Sequence, residues 1–306
     1  DYFEQRQDWE ILSEILDGHS SLQFRCGETS EAKVTIQRRL QLTGLSFNER
    51  ADATSSLTAI ALLSGDYAAS INTIEAVFDN IRPGEPLEVF VNALNGPMWA
   101  LYLTGRWSED SKLRRALDEI WRRMQGIEGD MVIGSYLALL MIALAREDQA
   151  EFAVIDAILR QARPEFREKE VLPFVAMYRD GDFSHFEAGR RGSDVAGVQM
   201  MFFSEHEQYP PDEVMQHGNY YADDLTLRAS NIAQALMAND NAALARAIDE
   251  AEEHELIVHA ARMRIVLAKR TNDLSQLERA RAVLERLGDR LFLRKLHEVE
   301  AMLQTS

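Results

Sequence analysis

Cysteine is all but absent from this chain: Cys26 stands alone among 306 residues. No intrachain disulfide can form, which excludes a disulfide-stapled scaffold and any zinc site built from several thiolates. Long apolar runs are missing too. The longest, MVIGSYLALLMIALA from Met131 to Ala145, contains Gly134, Ser135 and Tyr136 and is about five residues short of a bilayer-spanning helix. It is expected as a buried core helix, and no membrane partner is expected. Positive charge is in short supply, with 33 Lys and Arg against 50 Asp and Glu, a formal net charge of −17. That sign opposes contact with phosphate backbones, so direct nucleic-acid binding is not expected. The motifs of common chemistries are lacking as well. No Gly-Lys-Ser/Thr phosphate loop and no Gly-x-Ser-x-Gly elbow occurs, and the expectation is no catalysis and no cofactor.

What is present favours helices. Hydrophobic residues make up 46% of the chain, enough for a packed core, and Ala, Leu, Glu and Arg, all good helix formers, dominate. The predicted class is all-α. The stretch ALLSGDYAAS (Ala61 to Ser70) shows how the helices are joined. Gly65 can take positive φ to close one helix, Asp66 can cap the next, and helical spacing resumes at Ile71, Ile74, Val77 and Phe78. Helices joined this tightly form an antiparallel hairpin. Similar punctuation recurs in YLTGRWSED (Tyr102 to Asp110), ALAREDQAEF (Ala143 to Phe152), MYRDGDFSHF (Met177 to Phe186), LMANDNAALA (Leu236 to Ala245) and LAKRTNDLSQL (Leu267 to Leu277). Turns roughly 33 to 42 residues apart, with one longer gap, fall among the periods of helical hairpin repeats. Tyr67, Trp107 and Phe183 each follow a turn glycine by two positions, where a ring can wedge between the helices of a hairpin.

The Leu63-Ser64-Gly65-Asp66-Tyr67 turn resembles that of tetratricopeptide repeats. The longer period and the ending ERARAVLERLGDRLFLRKLHEVEAML (Glu278 to Leu303) are similar to the C-terminal repeat regions of maltose-regulator-type transcription activators and cyclase-linked signalling ATPases. The resemblance implies a right-handed superhelix of stacked hairpins, an α-solenoid, serving as the cytoplasmic sensor or regulatory part of a larger bacterial signalling or transcription-regulating ATPase. The opening Asp1-Tyr2-Phe3, without an initiator Met or a secretory leader, fits a piece of something longer. N-terminal repeats are expected over 1–188, an irregular break with a helix and a Pro-Pro loop over 189–224, and C-terminal repeats with a cap over 225–306. A loop is expected from Gly18 to Gly27, between helices near Glu4 to Leu16 and Ser30 to Leu42.

Candidate binding residues are aromatic and methionine-rich. Trp99, Tyr102 and Trp107 cluster near the Gly96-Pro97 break. Met200, Met201, Phe202 and Phe203, with Tyr220 and Tyr221, mark the irregular region. Such side chains line adaptable binding surfaces and also fill ordinary cores. SEHEQYPPDEVMQHG (Ser204 to Gly218) offers His206, His217, Glu205, Glu207, Asp212 and Glu213 to a metal, but nothing sets their geometry, so a polar connection is the simpler reading and no metal is expected. In HELIVH (His254 to His259) the imidazoles are one residue too far apart for the zinc-hydrolase pattern and should diverge. The acidic run Asp249 to Glu255 and the basic series Arg262, Arg264, Lys269, Arg270, Arg279, Arg281, Arg286, Arg290, Arg294 and Lys295 are expected as solvated faces, the second on a terminal cap. The functional expectation is a non-catalytic module that takes a protein or peptide partner, or a small-molecule inducer, in a concave groove. A stand-alone interaction scaffold and an α-helical-toroid enzyme are the alternatives.

Overall fold

The computed structural model describes residues 6, 8–82, 84–109, 111–124, 133–184, 196–212, 214 and 223–305. Among these the chain is all-α, with no strand. The helices are α1 (Trp9–Arg25), α2 (Thr29–Leu40), α3 (Phe47–Leu63), α4 (Tyr67–Asn80), α5 (Asn95–Thr104), α6 (Ser111–Arg123), α7 (Ile133–Ala145) and α8 (Gln149–Ala162). They continue as α9 (Leu172–Asp180), α10 (Ala196–Glu205), α11 (Asp224–Met237), α12 (Asn241–Glu253), α13 (Ile257–Thr271), α14 (Leu274–Leu287) and α15 (Arg290–Gln304). No helix among the described residues is long and apolar enough to cross a membrane.

The turns work as the residue pattern implies. Gly65 lies at φ 74°, and Asp66 accepts a hydrogen bond from the Ala69 amide at 3.2 Å, capping α4. The same pairing of a left-handed residue with a capping Asp recurs at Glu147-Asp148, Asn239-Asp240, Asn272-Asp273 and Gly288-Asp289. Glycine is therefore one way of meeting the requirement, and Asn or a strained Glu meets it elsewhere. Tyr67 and Trp107 are buried as the wedge idea requires, and Phe183 stacks on Phe203 at 4.3 Å.

One expectation fails at the N-terminus. The loop expected from Gly18 to Gly27 shrinks to Cys26–Glu28, because α1 runs through Gly18 to Arg25. Gly18 is exposed, and a lone exposed glycine costs a helix only about 1 kcal/mol. Here α1 and α2 pack on each other and on α3 through two small apolar clusters. Buried Arg39 ties them together, donating to Ser13 Oγ at 2.7 Å, Asp17 at 2.7 Å and Glu49 at 2.9 Å.

Among the described residues the main core is one cluster whose members range from Ala51 to Leu296. Helix α7 is buried almost all round, as the run Met131 to Ala145 suggests, although 131 and 132 lie outside the described residues. Helix α13 is buried continuously from Val258 to Ala268. The C-terminal helices also lie over the N-terminal ones: α13 packs on α5 and α10, α15 on α7, and α11 on α3. The Arg146 guanidinium donates to the Leu287 carbonyl at 3.2 Å, tying the α7–α8 turn to the end of α14.

A buried arginine cluster beside a half-open cavity

Helix α13 is buried along most of its length, and it carries Arg262 into the core, 1% exposed. A guanidinium cannot lose its charge there, so it must be met by acceptors. Asp289 Oδ2 accepts from Nε at 3.0 Å and from Nη2 at 2.8 Å. Glu205 Oε2 accepts from Nη1 at 3.1 Å. The hydroxyls of Tyr102 and Tyr178 accept at 2.8 and 2.5 Å. The guanidinium also lies over the Phe292 ring, 4.1 Å from its centroid, a cation–π geometry strengthened by the dry surroundings. Burial works against the charge, but Asp289, the tyrosines and Glu205 outweigh it and Arg262 stays firmly protonated.

Each partner comes from a different place in the chain. Tyr102 belongs to α5, Tyr178 to α9, Glu205 to the last turn of α10, and Asp289 to the turn before α15. Asp289 has two tasks: Oδ1 caps α15 through the Phe292 amide at 3.1 Å while Oδ2 holds Arg262. Glu205 also binds His259 Nδ1 at 2.8 Å. Burial pushes the Glu205 carboxyl up, yet Arg262 and His259 together hold it below its usual range. Burial also pushes the Tyr102 and Tyr178 hydroxyls well up, so both stay neutral.

Beside this cluster a cavity of about 330 Å³ lies between α10, α13 and α15. Its apolar lining comes from Ile265, Val266, Phe292, Val299 and Met302, and its charged lining from Glu205, Glu207, Arg262, Lys269, Lys295 and Glu298, with His206. Lys269 pairs with Glu207 at 2.6 Å. Lys295 is different. Its ammonium sits over Phe292 at 4.3 Å and within 3.4 Å of both His206 ring nitrogens, and it makes no ion pair among the described residues. Burial pushes it down to about 8. The Tyr178 carbonyl, 2.9 Å from His206 Nε2, can only accept, so Nε2 carries the proton and Nδ1 offers its lone pair. Burial and Lys295 push His206 down to about 4, which leaves it neutral near pH 7. The repeat turn seats this ring: a Cβ on Gly181 would stand 2.6 Å from His206 Nδ1.

The expected binding residues take other places. Trp99, Tyr102, Trp107, Met200, Met201, Phe202 and Phe203 are all core residues, none contributes to the cavity lining, and only Tyr102 reaches the arginine cluster. Apolar side chains of this size leave water wherever packing allows. Tyr220 and Tyr221 lie outside the described residues. So do Glu213 and His217 of the metal-like stretch, and no group of three His, Cys, Asp or Glu able to hold a metal occurs among the described residues. Glu205 and His206 turn inward to the site instead.

His254 and His259 do diverge, because the turn at Glu255 puts them on separate elements, His254 beside Asp224 and His259 beside Glu205. The expected solvated basic face is corrected at two positions. Arg262 and Arg264 are buried, Arg264 being clamped by Asp249, Glu252 and Gln276. The acidic run Asp249 to Glu255 therefore supplies counter-ions. Asp289 escaped the sequence reading, although Leu287-Gly288-Asp289 repeats the turn signature inside a segment already singled out. Comparison with protein-family models, with curated proteins and with solved structures returns no match to this chain.

Proposed function

We propose that the chain is a non-catalytic ligand- or partner-binding module of tetratricopeptide-like helical hairpins, the sensor part of a larger signalling ATPase, and that its ligand enters the cavity between α10, α13 and α15. The observation that carries this reading is the contact of the cavity with Arg262 and Phe292. An occupant there touches the side chain on which α5, α9, α10, α13 and the α14–α15 turn converge. Binding at such a junction can bias how distant parts of the chain pack, which is what a sensor requires. The repeat part of the reading is supported by the recurring left-handed residue and Asp cap between consecutive helices. The cavity is lined by residues 205–207 and by residues within 262–302, and it adjoins the Arg262 cluster that reaches α5 and α9; in this reading it takes the place of the open concave groove expected from a linear array. The cytoplasmic setting and the transcription-regulating parent follow from the same resemblance.

The test is a thermal-shift screen of the purified chain with peptides, nucleotides, sugars, metals and organic acids. A ligand that binds only the folded state stabilises it by about 2.7 kcal/mol at a hundred times its Kd. The expected hit raises the melting midpoint in the parent and loses the effect in Met302→Trp, which fills the cavity from its exposed side. A shift that survives Met302→Trp refers the ligand to another surface and overturns the assignment.

A further inference from the structure

Three cations line the cavity, and two of them are satisfied. Arg262 is held by Asp289 and Glu205, and Lys269 by Glu207. Lys295 is half-buried; its ammonium contacts the Phe292 ring and the neutral His206, and Glu205, Asp289 and Glu298 act on it without forming an ion pair among the described residues. An ammonium drawn partly out of water without a counter-ion is unfavourable, and an incoming anion relieves that cost. The rest of the lining restricts which anion. Ile265, Val266, Val299 and Met302 offer hydrocarbon. Glu205, Glu207 and Glu298 stand on the same lining and repel a second negative charge. One unpaired cation, hydrocarbon walls and acidic neighbours suit a single charge on an apolar body.

We propose that the cavity takes an organic monocarboxylate, its carboxylate paired with Lys295 Nζ and its hydrocarbon tail laid along Ile265, Val266, Val299 and Met302. The inference rests on the cavity being the ligand site. His206 is a positioning residue: its neutral ring packs against the ammonium, 3.4 Å from each ring nitrogen, and Gly181 leaves room for the ring. Dicarboxylates are disfavoured by their second charge, inorganic phosphate by its lack of a hydrocarbon body, and neutral analogues lose the ion pair.

The experiment is calorimetric titration of the purified chain with hexanoate, hexanamide, adipate and inorganic phosphate. Hexanoate is expected to bind at least tenfold more tightly than hexanamide or adipate, and phosphate not to bind. In Lys295→Met the hexanoate advantage disappears while hexanamide binds as in the parent, and Lys295→Arg restores most of the advantage. A circular-dichroism melt confirms that both variants fold. Equal affinity for hexanoate and hexanamide in the parent, or unchanged hexanoate binding in Lys295→Met, overturns the carboxylate assignment and leaves the cavity as the site. Hexanoate binding that persists in Met302→Trp overturns the cavity itself, and absence of binding by every probe at millimolar concentration overturns both.

Discussion

Arg262 is the residue on which most depends, because it is the one group that the surrounding acceptors cannot do without. Removing it takes from the buried Glu205 and Asp289 carboxylates the cation that both bind. Arg262→Met keeps much of the volume and loses the charge, and is expected to destabilise the fold by about 3–5 kcal/mol, read as a lower urea midpoint. Replacing Arg262, Glu205 and Asp289 together with Met, Gln and Asn should recover a large part of that loss. A triple variant no better than Arg262→Met would mean that packing and not charge sets the cost.

Two other residues act against each other with pH. Burial pushes the Asp223 carboxyl, which caps α11, up to about 6. Between pH 4 and 6 the folded state then holds more protons there than the unfolded state, so this residue lowers stability as pH rises. His206, pushed down to about 4, does the reverse: between pH 4 and 6.5 the unfolded state binds more protons, and stability rises with pH. Asp223→Asn keeps a capping side chain and should steepen the rise of stability from pH 4 to 6.5. His206→Gln should flatten or invert it. Urea titrations of the two variants across that range should show difference profiles of opposite sign; profiles of the same sign would show that one of the two groups is not shifted as its burial requires.

At the scale of elements, the hairpin turns carry the local information. Gly65 sits in left-handed backbone, and a Cβ there would come within 2.8 Å of Asp224 Oδ2. Gly65→Val therefore meets both backbone strain and a close neighbour, and a loss of about 1–3 kcal/mol is expected, with a lower melting temperature. An unchanged melting temperature would remove the turn from the account of the fold. The helix boundaries legible in the sequence were those marked by such turns: α4, α8, α12 and α14 begin after an Asp that can be read directly. The run of α1 through Gly18 was not legible, since an exposed glycine weakens a helix without ending it. The burial of Arg262 and Arg264 was hidden for a related reason. A basic residue on a helix reads as a solvated one until the carboxylates that meet it, from residues 205, 249, 252 and 289, are brought in from other elements.

At the scale of the molecule, the C-terminal helices close over the N-terminal ones. In a linear repeat array each unit touches only its neighbours, and terminal truncation leaves a shorter array still folded. Here α5 and α7 are covered by α13 and α15, and the Arg262 cluster joins positions 84 and 160 residues apart in the chain. A chain cut after Glu255 is expected to lose its cooperative thermal transition altogether, because α5 and α7 are apolar on the faces that would be stripped. A sharp melt at reduced temperature from that shortened chain would restore the nearest-neighbour description.

The all-helical class, the absence of disulfides, the absence of a membrane-crossing helix among the described residues and the position of most hairpin turns are local properties. They depend on cysteine count, run length, helix propensity and the one residue in each turn that must turn left-handed, so the sequence by itself determined them. The packing of α11, α13 and α15 on α3, α5 and α7, the burial of Trp99, Trp107, Phe202 and Phe203, and the meeting of Arg262, Glu205, Asp289, Tyr102, Tyr178 and His259 were decided only by the tertiary structure. A charge in a sequence has no sign of burial on it. Only when distant helices exclude water does an arginine need its particular acceptors.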